Sequence, residues 1–275
     1  MKIQKIGFIG GGNMASSLIS GLIASGHSPQ DLWVSDINPE TLKVLADNLK
    51  VNTSTNNDDI INAVDVIVLA VKPQILSSVA KNAATSIQRK QNLVVSIAAG
   101  ISQHSLSQWL GDNIAIVRCM PNTPALVLTG ATALHANAQV TTEQHDLAEN
   151  IMRSVGITLW VNDESELDVV TAVSGSGPAY YFLLMEAMEK VAIDMGMSEI
   201  TARLLVQQTA LGAAKIALES SESPEQLRKR VTSPGGTTEQ AIETFEQGGF
   251  TALVSKALHA ARNRSIEMSK TTENN

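Results

Sequence analysis

Aromatic residues are scarce: three Trp, two Tyr and four Phe among 275 residues, 3% in all. A nucleic-acid surface of basic residues interleaved with stacking rings therefore has little to draw on, and a formal net charge of -7 opposes a polyanionic partner. Cysteine is reduced to Cys119 alone, which excludes an internal disulfide framework and fits a reducing compartment. That thiol lies in the apolar run Ile116-Val117-Arg118-Cys119-Met120, where burial accounts for it better than reactivity does. No uninterrupted apolar run approaches the roughly 20 residues that cross a bilayer, and the N-terminus enters a strand pattern without the regions of a signal peptide. His27, His104, His135, His145 and His259 are scattered without metal-ligand spacing, so no metal site is expected. Gly175-Ser176-Gly177 follows Ser174, so the strained nucleophile elbow of a hydrolase is missing too. These absences leave a globular, cytoplasmic protein that acts on a small molecule, with no nucleic-acid or membrane partner.

What is present begins at residue 5. Lys5-Ile6-Gly7-Phe8-Ile9-Gly10-Gly11-Gly12-Asn13-Met14-Ala15 reads as an apolar strand, a glycine turn and the start of a helix over Ser16 to Ser25. Gly10 permits the turn, Gly12 lets the backbone approach a pyrophosphate, and Ala15 lets the helix pack closely on the strand. A second strand, Leu32–Ser35, ends in Asp36 about 20 residues beyond the glycines, where a carboxylate can hold the ribose diol of a dinucleotide. No Arg or Lys follows Asp36 before Lys43, which favours NADH over a cofactor carrying a 2′-phosphate.

Further along, short β-branched runs alternate with amphipathic stretches up to about residue 162, which implies βαβ units and a parallel sheet. Strands are expected at 3–9, 32–35, 64–71, 93–98, 114–119, 131–135 and 158–161. From residue 163 the chain turns to segments rich in Ala, Leu, Glu and Met, with helices expected at 178–195, 199–219, 224–231, 238–247 and 251–268. The domains are thus 1–162, an α/β dinucleotide-binding (Rossmann) domain, and 163–270, all-α, with a frayed tail at 271–275. The segment Glu199–Glu219 is apolar on more than one face, which suits packing against a second copy of the chain or burial within one copy.

Several loops hold more glycine and proline than connection requires: Ala70-Val71-Lys72-Pro73, Met120-Pro121-Asn122-Thr123-Pro124, Ser174-Gly175-Ser176-Gly177-Pro178 and Ser233-Pro234-Gly235-Gly236-Thr237-Thr238. Together with the N-terminal turn and Ser96-Ile97-Ala98-Ala99-Gly100, this ordered set resembles the Δ1-pyrroline-5-carboxylate reductases. The resemblance spans nearly the whole chain. It implies an N-terminal Rossmann domain followed by an all-α dimerisation domain, homodimers that assemble into decamers of five dimers, and reduction of 1-pyrroline-5-carboxylate to L-proline by NADPH or NADH. By the same resemblance the cofactor is held at Ile9, Gly10, Gly11, Gly12, Asn13 and Met14, at Asp36, at Asn57 on a ribose, along Ala70, Val71, Lys72 and Pro73, and at Ala98, Ala99 and Gly100. Glu164 matches a position near both cofactor and substrate. Arg230 stands where some relatives carry Asn, so no cofactor contact is transferred to it.

The residues of the last loop also speak for themselves. Thr237 and Gln240 make a capping-box pattern, which predicts a helix start there, and Gly235 and Gly236 allow a nest of free N–H groups for a carboxylate. Ser233, Gly235, Gly236, Thr237 and Thr238 are accordingly expected to bind substrate, with the Thr238 hydroxyl at the ring nitrogen as catalytic contact. Lys72, the other expected catalytic residue, is to contact a phosphate or stabilise charge near the nicotinamide, or to stand solvated beside Pro73. Glu164, Glu166 and Asp168 read most simply as a solvated helix start. A β-hydroxyacid dehydrogenase would need a catalytic lysine on a long helix, for which Lys190 has no suitable surroundings. A cofactor-binding regulator would have no use for the second anion loop.

Overall fold

The computed structural model describes residues 4–273, the side chains of 271–273 excepted, so the expected strand residue Ile3 and the tail residues 274–275 lie outside it. The chain forms two compact units, Met1–Ser176 with Ala260–Asn275, and Gly177–His259. The expected division fell after residue 162 and returned no C-terminal segment to the first unit.

The first unit is built on eight strands: β1 (Ile6–Ile9), β2 (Leu32–Ser35), β3 (Asn52–Ser54), β4 (Val66–Leu69), β5 (Leu93–Ser96), β6 (Ile116–Met120), β7 (Gly130–Ala136) and β8 (Gly156–Trp160). Their order in space is β3-β2-β1-β4-β5-β6-β7-β8. All neighbours are parallel except β6 and β7, which run antiparallel and so correct the expectation of a wholly parallel sheet. The cause is local. Only a 3-10 turn, Thr123–Val127, separates them, too short a path for a parallel crossover. Strand β3 was not foreseen, because Asn-Thr-Ser carries no apolar alternation and lies partly exposed at the sheet edge.

Helices α1 (Asn13–Ala24), α2 (Pro39–Leu49), α3 (Asn57–Ala63), α4 (Pro73–Lys90), α5 (Gln103–Leu110), α6 (Thr142–Arg153) and the short α7 (Glu166–Val170) join and cover the strands. Alternate residues of the inner strands β1, β4, β5 and β6 feed two separate cores. Ile6, Phe8, Val66 and Val68 pack with Leu18, Ile19 and Leu22 of α1, whereas Ile9, Ile67 and Leu69 pack with Leu76, Ala80 and Ile87 of α4. This two-sided burial is why these strands read as continuous apolar runs. Each fully buried Leu or Ile contributes about 1.5–3 kcal/mol by leaving water.

A π-helical turn, Thr171–Gly175, follows α7, so Ser174–Pro178 does not simply open a long α-helix. The second unit holds α8 (Gly177–Asp194), α9 (Glu199–Glu219), α10 (Pro224–Arg230), α11 (Thr237–Gln247) and the start of α12 (Phe250–Glu273). Because α12 continues through Lys270 to Glu273, the tail expected to fray from residue 271 is helical as far as it is described. Helix α9 buries only Ala202 and Val206 within the chain, while Leu204 and Leu211 are 63% and 61% exposed. No helix among the described residues is long and apolar enough to cross a membrane.

Candidate active site

The carboxyl ends of the parallel strands gather the expected cofactor residues along one edge of the sheet. The Gly10 N–H donates to the Ser35 carbonyl (2.8 Å), the Ala70 N–H to the Ile9 carbonyl (2.9 Å), and the Ile97 N–H to the Leu69 carbonyl (3.2 Å). The chain ends of β1, β2, β4 and β5 are thereby laced together at the switch in strand order where open α/β sheets bind ligands. Gly10 has φ +103°, and a Cβ there would lie 2.8 Å from the Ala70 carbonyl oxygen. Gly12 is different: a methyl group on it would meet open space. It caps α1 without a side-chain hydrogen bond, so the first-turn N–H groups of Asn13 and Met14 face outward with the positive end of the helix dipole. A helix start bare of side chains is what a pyrophosphate requires, and the residues fit a dinucleotide.

Asp36 stands at the end of β2 with both carboxylate oxygens engaged: Oδ2 accepts from the Gly11 N–H (2.8 Å) and Oδ1 from the Asn38 N–H (2.9 Å). The side chain is therefore fixed beside the glycine turn, with lone pairs left over for hydroxyl donors. Asn57 opens α3, and its Oδ1 accepts from the Ser35 hydroxyl at 2.7 Å. Lys72 is exposed and precedes Pro73 at the start of α4; it has no ion pair among the described residues. Ala98 and Gly100 are buried, and Gly100, at φ +69°, is covered by Met268 of α12, whose Cβ would lie 2.9 Å from an added methyl group. Burial pushes the Cys119 thiol far above its usual range, so it is inert.

Glu164 corrects the picture of a solvated acidic cluster. Its Oε1 accepts from Arg118 Nη1 of β6 at 2.8 Å and from the Gln103 N–H at the start of α5 at 2.7 Å. The Gln103 side chain bonds the Ile116 and His135 carbonyls and the His135 ring, tying α5 to β6 and β7. Glu166 accepts the Asn162 and Asp163 N–H groups, and Asp168 accepts from Ser265 of α12. The Asp163 carboxyl is held below its usual range chiefly by the Ser165 backbone N–H. No group of three or more His, Cys, Asp or Glu residues among those described could hold a metal ion. Gln103 and Arg118 escaped sequence reasoning as site residues; the one available signal was a lone charge inside an apolar strand. Asn122 has an architectural part, bonding Ser174 through its amide nitrogen and the Ala131 N–H through its oxygen.

The Ser233–Thr238 loop starts α11 as expected, but not by the expected capping box. Gly236 is the N-cap, no side chain caps the helix, and Thr237 is already helical, so its hydroxyl cannot serve that role. The nest N–H groups are not free either: Gly235 donates to Glu239 Oε2 (2.6 Å) and Gly236 to the Ser233 carbonyl (3.0 Å). Glutamate at the third helical position out-competes solvent for the loop N–H because it sits one turn away with the favourable sign for the dipole. Thr237 and Thr238 N–H groups have no acceptor among the described residues. Arg230 is paired with Glu222.

Fold and turn together define a dinucleotide-binding protein. The pyrroline-5-carboxylate reductase of Pseudomonas aeruginosa is 49% identical over 270 residues, 98% of each chain. In three dimensions, the Coxiella burnetii pyrroline-5-carboxylate reductase matches with a TM-score of 0.93 and 45% identity over 98% of this chain and 99% of that one. The chain belongs to the pyrroline-5-carboxylate reductase family. The Plasmodium falciparum pyrroline carboxylate reductase, solved with NADP bound, matches with a TM-score of 0.87 at 30% identity, covering 98% and 99% of the two chains. Residues 164–268 match the family model for pyrroline-5-carboxylate reductase dimerisation, and residues 5–100 that for NADP oxidoreductase, coenzyme F420-dependent.

Proposed function

We propose that this chain reduces the C=N bond of 1-pyrroline-5-carboxylate to L-proline with NADPH or NADH, the final step of proline biosynthesis, as a cytoplasmic homodimer whose dimers assemble in fives. The observation that carries the reading is the open helix start at Gly12, set on the switch edge of the sheet of a chain that belongs to this family. When bound, the reduced nicotinamide supplies the hydride. The chain's own residues do the rest. Gly10 to Met14 receive the pyrophosphate on backbone N–H groups, Asp36 and Asn57 hold ribose hydroxyls, and Ala70 to Pro73 with Ala98 to Gly100 line the cofactor. Lys72, exposed and without an ion pair among the described residues, supplies a positive charge beside them.

Glu164 contributes a fixed carboxylate. Thr237 and Thr238 present N–H groups with the dipole of α11 to the substrate carboxylate, and Ser233, Gly235 and Gly236 shape the approach to them. Because a C=N carbon accepts hydride well only when its nitrogen is protonated, the Thr238 hydroxyl is assigned to the ring nitrogen, where it orients the iminium. No histidine base is needed. The dimer is supported by the exposed apolar residues of α8 and α9, such as Phe182, Leu204 and Leu211, and the cytoplasm by a single buried thiol.

Mixing the protein with 1-pyrroline-5-carboxylate and each reduced cofactor, while following nicotinamide absorbance and proline formation, tests the activity directly. Turnover should require the imine and be absent with 3-hydroxy acids. Silence with both cofactors would overturn the assignment.

A further inference from the structure

Arg118 is the one charged residue of β6 and its side chain is only 6% exposed. A cation in a sheet interior is costly, and a buried ion pair seldom outweighs an apolar replacement in stability, so the pair asks for another reason. Its partner suggests one. Two donors, Arg118 Nη1 and the Gln103 N–H, converge on the same oxygen of Glu164, while Oε2 makes no hydrogen bond among the described residues and the side chain keeps 26% exposure. A carboxylate clamped through one oxygen has its other oxygen held in a single direction, charged and open to a donor. The same clamp fixes the first residue of α5, three residues after Gly100.

We propose that Arg118 is a positioning residue for the reaction: it pins Glu164 through Oε1 so that Oε2 is a preset acceptor for a ligand hydroxyl or N–H. The proposal rests on the reading of Glu164 as a cofactor- and substrate-side residue. Arg118 touches neither ligand itself and acts only through Glu164.

A double-mutant cycle on the full-length protein separates this from a packing role. Glu164→Gln and Arg118→Met should each weaken NADH affinity, read by nicotinamide fluorescence, or kcat/KM for the imine by about tenfold or more. The double variant should be no worse than the more impaired single one, since both remove the same clamp. Arg118→Lys keeps the charge with a single-point donor; it should recover part of the loss and also serves should Arg118→Met not fold. If Glu164→Gln leaves affinity, KM and kcat unchanged, the site reading of Glu164 falls and the proposal with it. If Glu164→Gln is impaired while Arg118→Met or Arg118→Lys lowers only the melting temperature, the positioning role alone is refuted. Losses that multiply in the double variant refute it as well.

Discussion

Replacing Asp36 by Asn should shift the choice between NADH and NADPH. The carboxylate is pinned by the Gly11 and Asn38 N–H groups, so it cannot swing away from a bound nucleotide without breaking both bonds. A 2′-phosphate carries about -1.5 to -2 charges near neutrality. At an approach of about 5 Å and an effective dielectric between about 40 and 80, its repulsion from one carboxylate is roughly 1.5–3 kcal/mol. That corresponds to about ten- to a hundredfold in favour of NADH, and it should shrink as salt is raised. Asparagine keeps one acceptor oxygen, for the Gly11 N–H; it removes the charge and also loses the hydrogen bond from the Asn38 N–H. The assay is the ratio of kcat/KM for the two cofactors, together with their dissociation constants, in native protein and Asp36→Asn. A tenfold preference of the native protein for NADPH, or a ratio that does not move in the variant, would refute the electrostatic reasoning.

Other outcomes follow from the same geometry. Gly12→Val should fold with an unchanged melting temperature yet bind cofactor far more weakly, because its side chain enters open space meant for phosphate. Gly10→Ala should do the reverse in stability, costing about 1–3 kcal/mol through φ +103° and the contact with the Ala70 carbonyl; equal melting temperatures for the two variants would contradict this assignment. Thr238→Ala should lower kcat/KM for the imine by about tenfold or more while NADH affinity stays within about twofold, measured by steady-state kinetics and fluorescence. Leu204→Glu with Leu211→Glu should convert the oligomer to monomer in size-exclusion with light scattering, and an unaltered mass would show that α9 faces no second copy.

Much of the first unit could be read in advance because its strands are covered on both faces. Leu32–Ser35 and Glu199–Glu219 fall at the residues expected, since a continuous apolar run and a long Ala/Leu-rich stretch leave little ambiguity. The antiparallel return of β7 was hidden, because strand direction depends on how far a loop must travel and not on the strand's own residues. Strand β3 was hidden for a different reason: its polar edge residues pair through backbone and the Asn52 amide, neither of which leaves an apolar pattern. In the site, glycines spoke clearly, whereas side-chain partners did not. Thr237 and Gln240 have capping-box spacing, yet the helix begins one residue earlier than that pattern needs, and Glu239 claims the Gly235 N–H. Arg118 and Glu164 lie 46 residues apart, and only the fold brings them together.

The cover over Gly100 has a consequence for how the chain matures. Met268 lies near the end of α12, so the Ala98–Gly100 loop, made early in synthesis, waits for a helix far along the chain before its wall is complete. A fragment ending at Ser176 would keep every strand of the sheet and still present an unfinished nucleotide edge. Removing the last turns of α12 should be felt first as lost cofactor affinity.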